Sequence, residues 1–572
     1  MMRRQRWPLL LFGVASVVWV WKSQKKSPPP QEDVKLTIMQ QFGIPPAMSE
    51  PPVWVRLRRL AKDRGIERLL SSAKFSASGR FVGFNTPTAL HHHAELSLRE
   101  LQRFLTANLR SAIVRAPKAL AVRLAAISAE AREHVQLLAG NLKMLAHETG
   151  LTKRKRASLF KLKQHVRRSI EKNQNEGNCS EVLTCRLSNR YGFSSAIHDV
   201  LWCLVRGLQL GRPVVVDSEP WHYAPSGWSS VFLPLSFACP EKPDPESSGD
   251  KLSENKEFRV IGTCIPCRDR RSSISTLVGP DAHRSSFRSV SRARSAILDL
   301  PPVLAEHLVL LHGDPYAWWF GQLMAYIMRP SKELLDLVGD AKRSLKFRSP
   351  IVGLHIRRTD KEAEASFHQV EEYMEHVEDF FAPMGPVPRR VLVATDEPSI
   401  FAELRYKFPN YLFLGDKAAS ETARNPDTRY TPDALKALLK DVSLLSECDL
   451  VVCTLSSGVC RVVYELMQAR RTDASMQVIS LDVDYFYAFV QFPPRRVLYE
   501  HRALNHKELW LRSGDIVERL GDHSVIGEAR RKKMWDGYSV GTLPGTILTG
   551  LYPLYKTVPQ VRVTKNSTGW GR

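Results

Sequence analysis

The stretch IVGLHIRRTDK, residues 351–361, decides the fold because an apolar run ends there abruptly and gives way to charge. Residues 351–354 predict a buried β-strand, and the sequence from Val370 onward predicts an α-helix. The charged residues that begin at Arg357 therefore lie at the carboxyl end of a strand. In an open α/β sheet, that edge is where ligands bind.

Strands and helices alternate along the chain on both sides of this stretch. Further strands are predicted at residues 212–218, 390–395, 450–454 and 478–481, and helices at 304–327, 370–381, 431–446 and 459–470. Such alternation is typical of a parallel, doubly wound sheet. The sequence therefore predicts an α/β fold for most of the chain after residue 175.

Unusual polar residues follow three of the strands. They are His355, Arg357, Arg358 and Asp360, then Asp396 and Glu397, and finally residues 454–457. The last segment precedes a helix, and its small residues leave backbone N–H groups free to bind an anion. An arginine opposite them would bind phosphate in a bidentate manner. Together these features predict a diphosphate site that needs no metal.

Plainer explanations exist for each feature taken alone. Ser456 and Ser457 would also serve as ordinary helix N-caps, and a single arginine would form a surface ion pair. Asp482 and Asp484 match the D-x-D pattern of some metal sites, but they follow the last strand instead of the predicted diphosphate site. We therefore expect no metal there.

The first 87 residues differ in composition from the rest. Residues 1–6 form a basic tail, and the apolar segment 7–21 has tryptophans at both ends and lysines after it. This pattern predicts a signal-anchor with the remainder of the chain in the lumen. A cleaved signal peptide, the alternative, would end in small residues. Residues 22–87 contain several proline clusters and predict a stem.

Residues 88–174 predict a helical region. Its apolar residues recur at helical spacing: Leu98, Leu101, Leu105, Leu109, Ile127, Val135, Leu138 and Leu142. Such a stripe must be buried, either against the α/β core or against a second copy of the chain.

Two other segments differ from the rest of the chain in composition and in the spacing of their apolar residues. Residues 240–295 are rich in Pro, Ser and Arg and predict a mobile loop insertion. After about residue 500, short β segments separated by glycine turns predict a small barrel.

The charge balance leaves several partners open. The 572-residue chain has 82 basic and 59 acidic residues, a net charge of +23. Nucleic acid, anionic lipid or a phosphorylated substrate would each suit that excess. The chain lacks zinc-finger spacing and an RNA-recognition signature, and a lumenal location argues against nucleic acid. Detection of the protein in the nucleus would revive that hypothesis.

The nine cysteines leave at least one unpaired. Cys264 and Cys267 form a C-x-x-C pattern, but no second pair or histidine pair follows, so zinc is weakly supported.

The site segments resemble the eukaryotic α1,6-fucosyltransferases, which act on the innermost N-acetylglucosamine of N-glycans. The matching segments include HIRRTDK, VLVATDEPS, LSECDLVVCTLSSGVCRVVYELMQ, WDGYSVG and TGLYPLYK. The resemblance covers most of residues 175–560 and preserves the order of the segments. It implies an α/β, GT-B-like glycosyltransferase with an N-terminal coiled-coil-like region.

The resemblance also implies a domain order. It places a helical dimerisation region at 88–174, an α/β catalytic subdomain at 175–345, a Rossmann-like GDP-fucose-binding subdomain at 346–500, an SH3-like barrel at 501–560 and a tail at 561–572. The implied reaction is inverting transfer of fucose from GDP-β-L-fucose to N-glycan acceptors without a metal or other cofactor. The implied location is the Golgi membrane, as a homodimeric single-pass type II protein. The alternative is a catalytically impaired relative that binds GDP-fucose or glycans.

Site residues are implied position by position. Those matched to donor binding are Tyr223, His355, Arg357, Arg358, Asp396, Asp441 and Ser457, of which His355 and Asp441 would recognise guanine and Arg357 would bind the diphosphate. Glu364 matches the catalytic base, and Lys361 matches a lysine that assists it. The loop 361–367 is one residue shorter than the family pattern, so Glu362 is an alternative base.

Other departures mark a divergent member of this family. Gly458 replaces a glutamine, Ser194 replaces a glycine near the donor, and Glu397 replaces an aspartate. Tyr191 and Ser195 occupy two cysteine positions, which is consistent with loss of one disulfide. The remaining implied disulfides are Cys179–Cys239, Cys185–Cys203 and Cys453–Cys460, with Cys448 free. A local Cys264–Cys267 bridge is an open alternative to a zinc site at that pair.

Overall fold

The computed structural model describes residues 87–187, 192–219, 221–239, 260–261, 300–359, 367–486, 493–503, 505–519, 538–546 and 548–563. These residues all belong to one unit, Ala77–Arg572. The predicted signal-anchor at 7–21, the stem up to residue 86, and Cys264 and Cys267 lie outside them. Within the described ranges, no helix combines the length and apolar character that crossing a membrane requires.

Three helices form the N-terminal region: α1, Pro87–Arg115; α2, Lys118–Glu148; and α3, Leu151–Asn175. The chain turns between α2 and α3 at Gly150, whose φ of +66° favours glycine. Helix α3 packs into the main hydrophobic core through Leu159, Val166 and Ile170. The sequence predicted helix here, and the structure adds that the third helix belongs to the α/β core.

Helices α1 and α2 leave part of the predicted apolar stripe uncovered. Val135 is buried, whereas Leu101, Ile127 and Leu138 are about half exposed. The α/β core, one of the two expected ways to bury the stripe, therefore does not cover these three side chains. Burial against a second copy stays a prediction.

A small parallel sheet follows. Its strands are β1, Leu183–Arg186; β2, Val214–Asp217; and β3, Val260–Ile261, with β1 in the centre. Helix α4, Phe193–Leu210, connects β1 to β2. Strand β3 lies inside the insertion predicted at 240–295, so part of that segment pairs with β1 instead of forming only loop.

The predicted helix at 304–327 is two helices, α5, Pro302–Leu311, and α6, Pro315–Ile327. The break falls at Asp314, whose carboxylate accepts a hydrogen bond from the Ala317 N–H at 3.1 Å. Pro315 at the first helical position reinforces this new start. Helix α7, Lys332–Ser344, then leads into the larger sheet.

The larger sheet has five parallel strands: β4, Ile351–Ile356; β5, Arg390–Thr395; β6, Leu412–Leu414; β7, Leu450–Cys453; and β8, Val478–Ser480. Their order is β6-β5-β4-β7-β8, and all six residues of the central strand β4 are buried. The predicted doubly wound parallel sheet is confirmed. The chain reverses direction across the sheet between β4 and β7, which is where such folds bind ligands.

Five helices cover this sheet: α8, Val370–Phe381; α9, Ile400–Lys407; α10, Lys417–Arg424; α11, Pro432–Leu445; and α12, Gly458–Arg470. Helix α8 begins with a capping box between Gln369 and Glu372. The sequence predicted α8, α11 and α12 within two residues at each end. It missed α9, α10 and β6, which are eight residues long or shorter.

The C-terminal strands form an antiparallel sheet. They are β9, Arg495–Val497; β10, Ile516–Arg519; β11, Tyr538–Thr542; β12, Thr549–Pro553; and β13, Thr557–Pro559, in the order β12-β11-β10-β9-β13. Strand β9 precedes the predicted boundary at residue 501, so this part begins earlier than expected. An SH3-like barrel stays a prediction.

Disulfides tie several of these elements together. Within the described residues the structure joins Cys179 to Cys239, Cys185 to Cys203, and Cys453 to Cys460. These are the pairs that the resemblance implied, and Cys448 is a buried free thiol.

Helices α6 and α12 approach each other closely at Gly321. A Cβ atom at this position would lie 2.4 Å from the Glu465 carbonyl oxygen and 2.9 Å from Gln468 Cβ. The helix backbones can therefore meet only because residue 321 has no side chain. This contact fixes the position of α12, whose first turn lies at the β7 edge of the sheet.

We predict that Gly321→Ala destabilises the protein by about 1–3 kcal/mol, because the added methyl group overpacks a backbone contact. Gly140 in α2 is the matched control, since nothing lies within 4 Å of its Cβ position. Gly140→Ala should raise stability by about 0.5–1 kcal/mol by restricting the unfolded chain. Thermal unfolding of both variants measures this, and equal midpoints would contradict the assigned close contact.

Candidate active site

The site begins with His355 on the central strand. Its imidazole is buried, and Nδ1 has no hydrogen-bond partner in the described part of the chain. Burial lowers the pKa of His355 to about 4, with the neighbouring Arg357 acting in the same direction and Asp396 opposing it. The side chain is therefore a neutral imidazole with one unsatisfied nitrogen, which suits a hydrogen-bonding ligand.

Asp396 organises the turn that follows β4. This carboxylate lies just after β5 and is 4% exposed. It accepts hydrogen bonds from the Arg357 guanidinium, from the Arg358 backbone N–H at 2.8 Å and from the Thr359 hydroxyl. Three consecutive residues are thus held by one side chain, and Asp396 acts here by orienting Arg357.

The two adjacent arginines have different surroundings. The Arg358 guanidinium lies over the Phe367 ring at 4.2 Å, 3.6 Å from Glu403, and it donates to the His368 carbonyl oxygen at 3.3 Å. Arg358 therefore contacts Phe367 and His368, where the described chain resumes after residue 359. Its assignment as a donor ligand stays a prediction.

The N-terminus of α12 forms the opposite side of the site. Ser457 occupies the N-cap position, yet its side chain makes no capping hydrogen bond. This excludes the plainer explanation of Ser457 as an ordinary cap. The Cys453–Cys460 disulfide joins the end of β7 to the first turn of α12 and encloses the segment between them.

The two aspartates of the D-x-D pattern have protein partners. Asp482 Oδ1 accepts from the Ser456 N–H at 3.2 Å, the Ser480 hydroxyl at 2.9 Å and the Val483 N–H at 2.6 Å. Asp484 pairs with Arg519 and Arg495 at 3.5 and 3.8 Å. In the ranges that the structure describes, no group of three or more His, Cys, Asp or Glu residues could hold a metal ion.

A second helix N-terminus converges on the same place. The Phe193 N–H, in the first turn of α4, donates to the Tyr223 hydroxyl oxygen at 2.8 Å. Burial raises the pKa of Tyr223, while Arg429 and Arg357 nearby partly oppose that rise. The phenol therefore keeps its proton and can donate it to a ligand.

Arg429 is a site residue that the sequence analysis missed. Its Nε donates to the Ala423 carbonyl oxygen at 2.9 Å, and Nη2 lies 3.5 Å from the Thr359 hydroxyl. A second cation thus joins Arg357 beside Tyr223. The sequence Arg-Tyr-Thr just before α11 could have indicated this residue. A single arginine in a coil segment, however, cannot be distinguished by sequence from any other surface cation.

Asp441 lies on α11, which packs against β4 and β5. Burial raises its pKa to about 7; Asp416 adds to the rise and Lys440 opposes it. Lys440 itself contacts Asp416 at 2.5 Å. Asp441 is therefore a carboxyl group whose charge changes near neutral pH.

The three residues assigned to the base step, Lys361, Glu362 and Glu364, lie outside the described residues. The structure does show both ends of their loop. Thr359 is held by Asp396 at one end, and Phe367 packs against Arg358 at the other.

A doubly wound parallel sheet with two helix N-termini and two arginines near its switch point is an arrangement in which α/β proteins bind anionic ligands. The family model described as "Alpha-(1,6)-fucosyltransferase N- and catalytic domains" matches residues 85–487. The chain therefore belongs to the alpha-(1,6)-fucosyltransferase family.

Two relatives give the same result. The chain is 32% identical over 440 residues to the alpha-(1,6)-fucosyltransferase of Drosophila melanogaster, covering 76% of this chain. It is 33% identical over 413 residues to that of Caenorhabditis elegans, covering 70% of this chain. The matched part spans 66% and 68% of the relatives' own lengths.

One solved structure that is similar to this chain has a lower sequence identity. The crystal structure titled NodZ alpha-1,6-fucosyltransferase co-crystallised with GDP is 16% identical, with a TM-score of 0.30. The match covers 53% of this chain and 95% of that one. Likeness at this level adds nothing to the family assignment.

We predict that Asp396→Asn weakens GDP binding at least tenfold. The amide removes the charge that holds Arg357, and breaking a buried ion pair is costly. Calorimetric titration of GDP measures the effect. Asp336 on α7, which is exposed, provides the control Asp336→Asn. Equal affinities in the two variants would show that Asp396 does not organise a nucleotide site.

Proposed function

We propose that the protein transfers L-fucose from GDP-β-L-fucose to the 6-hydroxyl of the Asn-linked N-acetylglucosamine of N-glycans, with inversion at the anomeric carbon. The observation that carries this proposal is the meeting of two helix N-termini, α4 and α12, beside Arg357 at the switch point of the sheet. Family membership supports the sugar, and the site geometry supports a nucleotide diphosphate donor.

The diphosphate would lie beside the two helix N-termini, which contact each other at Ser194 and Gly458. Helix α12 offers first-turn N–H groups that no side chain caps, and both helices offer a positive dipole end, which favours an anion. Arg357 would add a bidentate donor pair, and the neutral Tyr223 hydroxyl would add another hydrogen bond. These groups supply the positive charge that a divalent cation supplies in many other phosphate sites, so we expect no metal requirement.

Guanine would be recognised by His355 and Asp441. The unsatisfied Nδ1 of His355 would gain a partner on binding, which removes the cost of a buried unpaired nitrogen. The Asp441 carboxylate would accept from the N1 and N2 donors of guanine. Only its ionised form offers two acceptor oxygens.

The reaction needs one base and one charge stabiliser. Glu364 would take the proton from the acceptor 6-hydroxyl as that oxygen attacks the anomeric carbon, on the face opposite GDP. The bond between that carbon and the diphosphate oxygen breaks, and the electron pair leaves with GDP. Arg357 stabilises the negative charge that grows on the diphosphate. Lys361 would hold Glu364 ionised.

The cellular setting follows from the same assignment. We propose a single-pass type II protein of the Golgi membrane, anchored through residues 7–21. A homodimer would cover the exposed apolar residues of α1 and α2, and the C-terminal antiparallel sheet would form an SH3-like barrel.

Incubation with GDP-fucose and a defined N-glycopeptide tests the proposal. Mass spectrometry should detect one added fucose on the innermost N-acetylglucosamine, with and without EDTA. GDP binding without transfer would indicate a catalytically impaired relative. Loss of activity in EDTA that Mn²⁺ restores would return Asp482 and Asp484 to consideration as ligands.

We predict that Glu364→Gln abolishes transfer while GDP still binds, because the isosteric amide cannot accept the proton. Glu362→Gln is the matched control in the same loop and should keep most of the activity. Initial rates and GDP titrations of both variants decide the matter. The reverse pattern would assign the base to Glu362, and two active variants would exclude both.

GDP affinity should also depend on pH through Asp441. Its raised pKa of about 7 means that the ionised, binding form is lost as the pH falls. We therefore expect about tenfold weaker GDP binding at pH 6 than at pH 8, as the charged fraction dictates. The pKa of His355, lowered to about 4, keeps that residue neutral over this range.

Asp441→Asn provides the control for this pH series. It should bind GDP weakly at pH 8 and lose most of the pH dependence. The titration of the GDP phosphate itself, with a pKa near 6, would remain in both proteins. Identical pH profiles for wild type and variant would remove Asp441 from the guanine site.

A further inference from the structure

Two positions at the centre of the site cannot both carry a side chain. Ser194 lies in the first turn of α4, and Gly458 is the first residue of α12. A Cβ atom at position 458 would lie 2.0 Å from Ser194 Oγ and 2.7 Å from Ser194 Cβ. Both distances are far below van der Waals contact, so a side chain at 458 would displace that of Ser194.

In this chain position 458 is glycine and position 194 is serine, so only one of the two facing positions carries a side chain. The space that a residue at 458 would fill is occupied from the opposite helix by a small hydroxyl-bearing side chain.

The position of Ser194 is held by a buried link between the two helices. The Ser194 carbonyl oxygen lies 2.6 Å from His198 Nδ1, and His198 Nε2 lies 3.0 Å from Glu465 Oε1 on α12. Both of those side chains are almost fully buried. This link sets the distance between the two helix N-termini.

The hydroxyl itself is available to a ligand. Within the described residues, nothing in the structure provides the Ser194 hydroxyl with a hydrogen-bond partner. It lies against the first turn of α12, where the Ser457 side chain leaves the N–H groups uncapped. The adjacent Phe193 N–H is bonded to Tyr223, which places the phenol in the same region.

We infer that Ser194 is a donor-binding residue: its hydroxyl, which occupies the space that Gly458 leaves open, binds the diphosphate. This inference rests on the proposed function, since it takes the diphosphate of GDP-fucose as the ligand. Ser194 donates one hydrogen bond from α4, and Gly458 allows it by having no side chain. The effects of substitutions at positions 194 and 458 should therefore be coupled.

The first experiment removes the hydroxyl and keeps the Cβ. Ser194→Ala should weaken GDP binding about tenfold, the effect expected for one hydrogen bond to a charged group. Guanosine, which lacks the diphosphate, should bind the variant and the wild type equally. Ser195→Ala, the next residue on the same helix, is the control and should leave both affinities unchanged.

The second experiment tests the pairing by thermal unfolding. Gly458→Gln should lower the unfolding midpoint, and the double variant Ser194→Gly with Gly458→Gln should recover most of the loss. Gly458→Ala, with a smaller side chain, covers the case in which the glutamine variant does not fold. A double variant as unstable as Gly458→Gln would disprove the coupling.

The outcomes separate this inference from the proposed function. Wild-type protein that fails to bind GDP would overturn both. Wild-type protein that binds GDP and transfers fucose, together with a Ser194→Ala variant of unchanged GDP affinity, would overturn only the role of Ser194. Weaker binding of guanosine as well as GDP would also overturn it, since the loss would then be structural.

Discussion

The burial of β4 on both faces is the constraint on which the rest of the structure depends. Because all six residues of this strand are buried, it can only lie in the centre of a sheet that is covered by helices on both sides. Gly353 is part of this requirement, since a Cβ there would lie 2.7 Å from Leu445 and 3.1 Å from the Cys448 sulfur. The polar residues after Ile356 are therefore forced to the sheet edge.

Parallel pairing brings the other functional groups to that same edge. Strand β4 pairs with β5 so that Ile356 lies beside Thr395, and Asp396 follows directly. On the other side Leu354 pairs with Val452, which brings the 454–457 segment and the N-terminus of α12 alongside. Residues distant in sequence thus converge because each follows a strand of the same sheet.

Sequence reasoning succeeded where a residue's role depends on its own strand and failed where it depends on tertiary contacts. The apolar runs at 351–354, 390–395 and 450–454 predicted three central strands, and the polar residues that follow them lie at one edge of the sheet. Three-residue β6 and the eight-residue helices α9 and α10 are too short to show a period. Arg429 was missed because only the fold places it beside Thr359 and Tyr223.

The structure of the site also explains why two neighbouring arginines make different contacts. Arg357 and Arg358 are adjacent, but successive residues of an extended chain point in opposite directions. Asp396 holds the Arg357 guanidinium on the side of Tyr223, whereas Arg358 is directed to Glu403 and Phe367. The Arg357 guanidinium therefore stays with Asp396 near Tyr223, and that of Arg358 contacts Phe367, where the described chain resumes. Two arginines that look redundant in the sequence therefore connect one turn after β4 to two different elements, Arg357 to Asp396 at the end of β5 and Arg358 to Glu403 in α9.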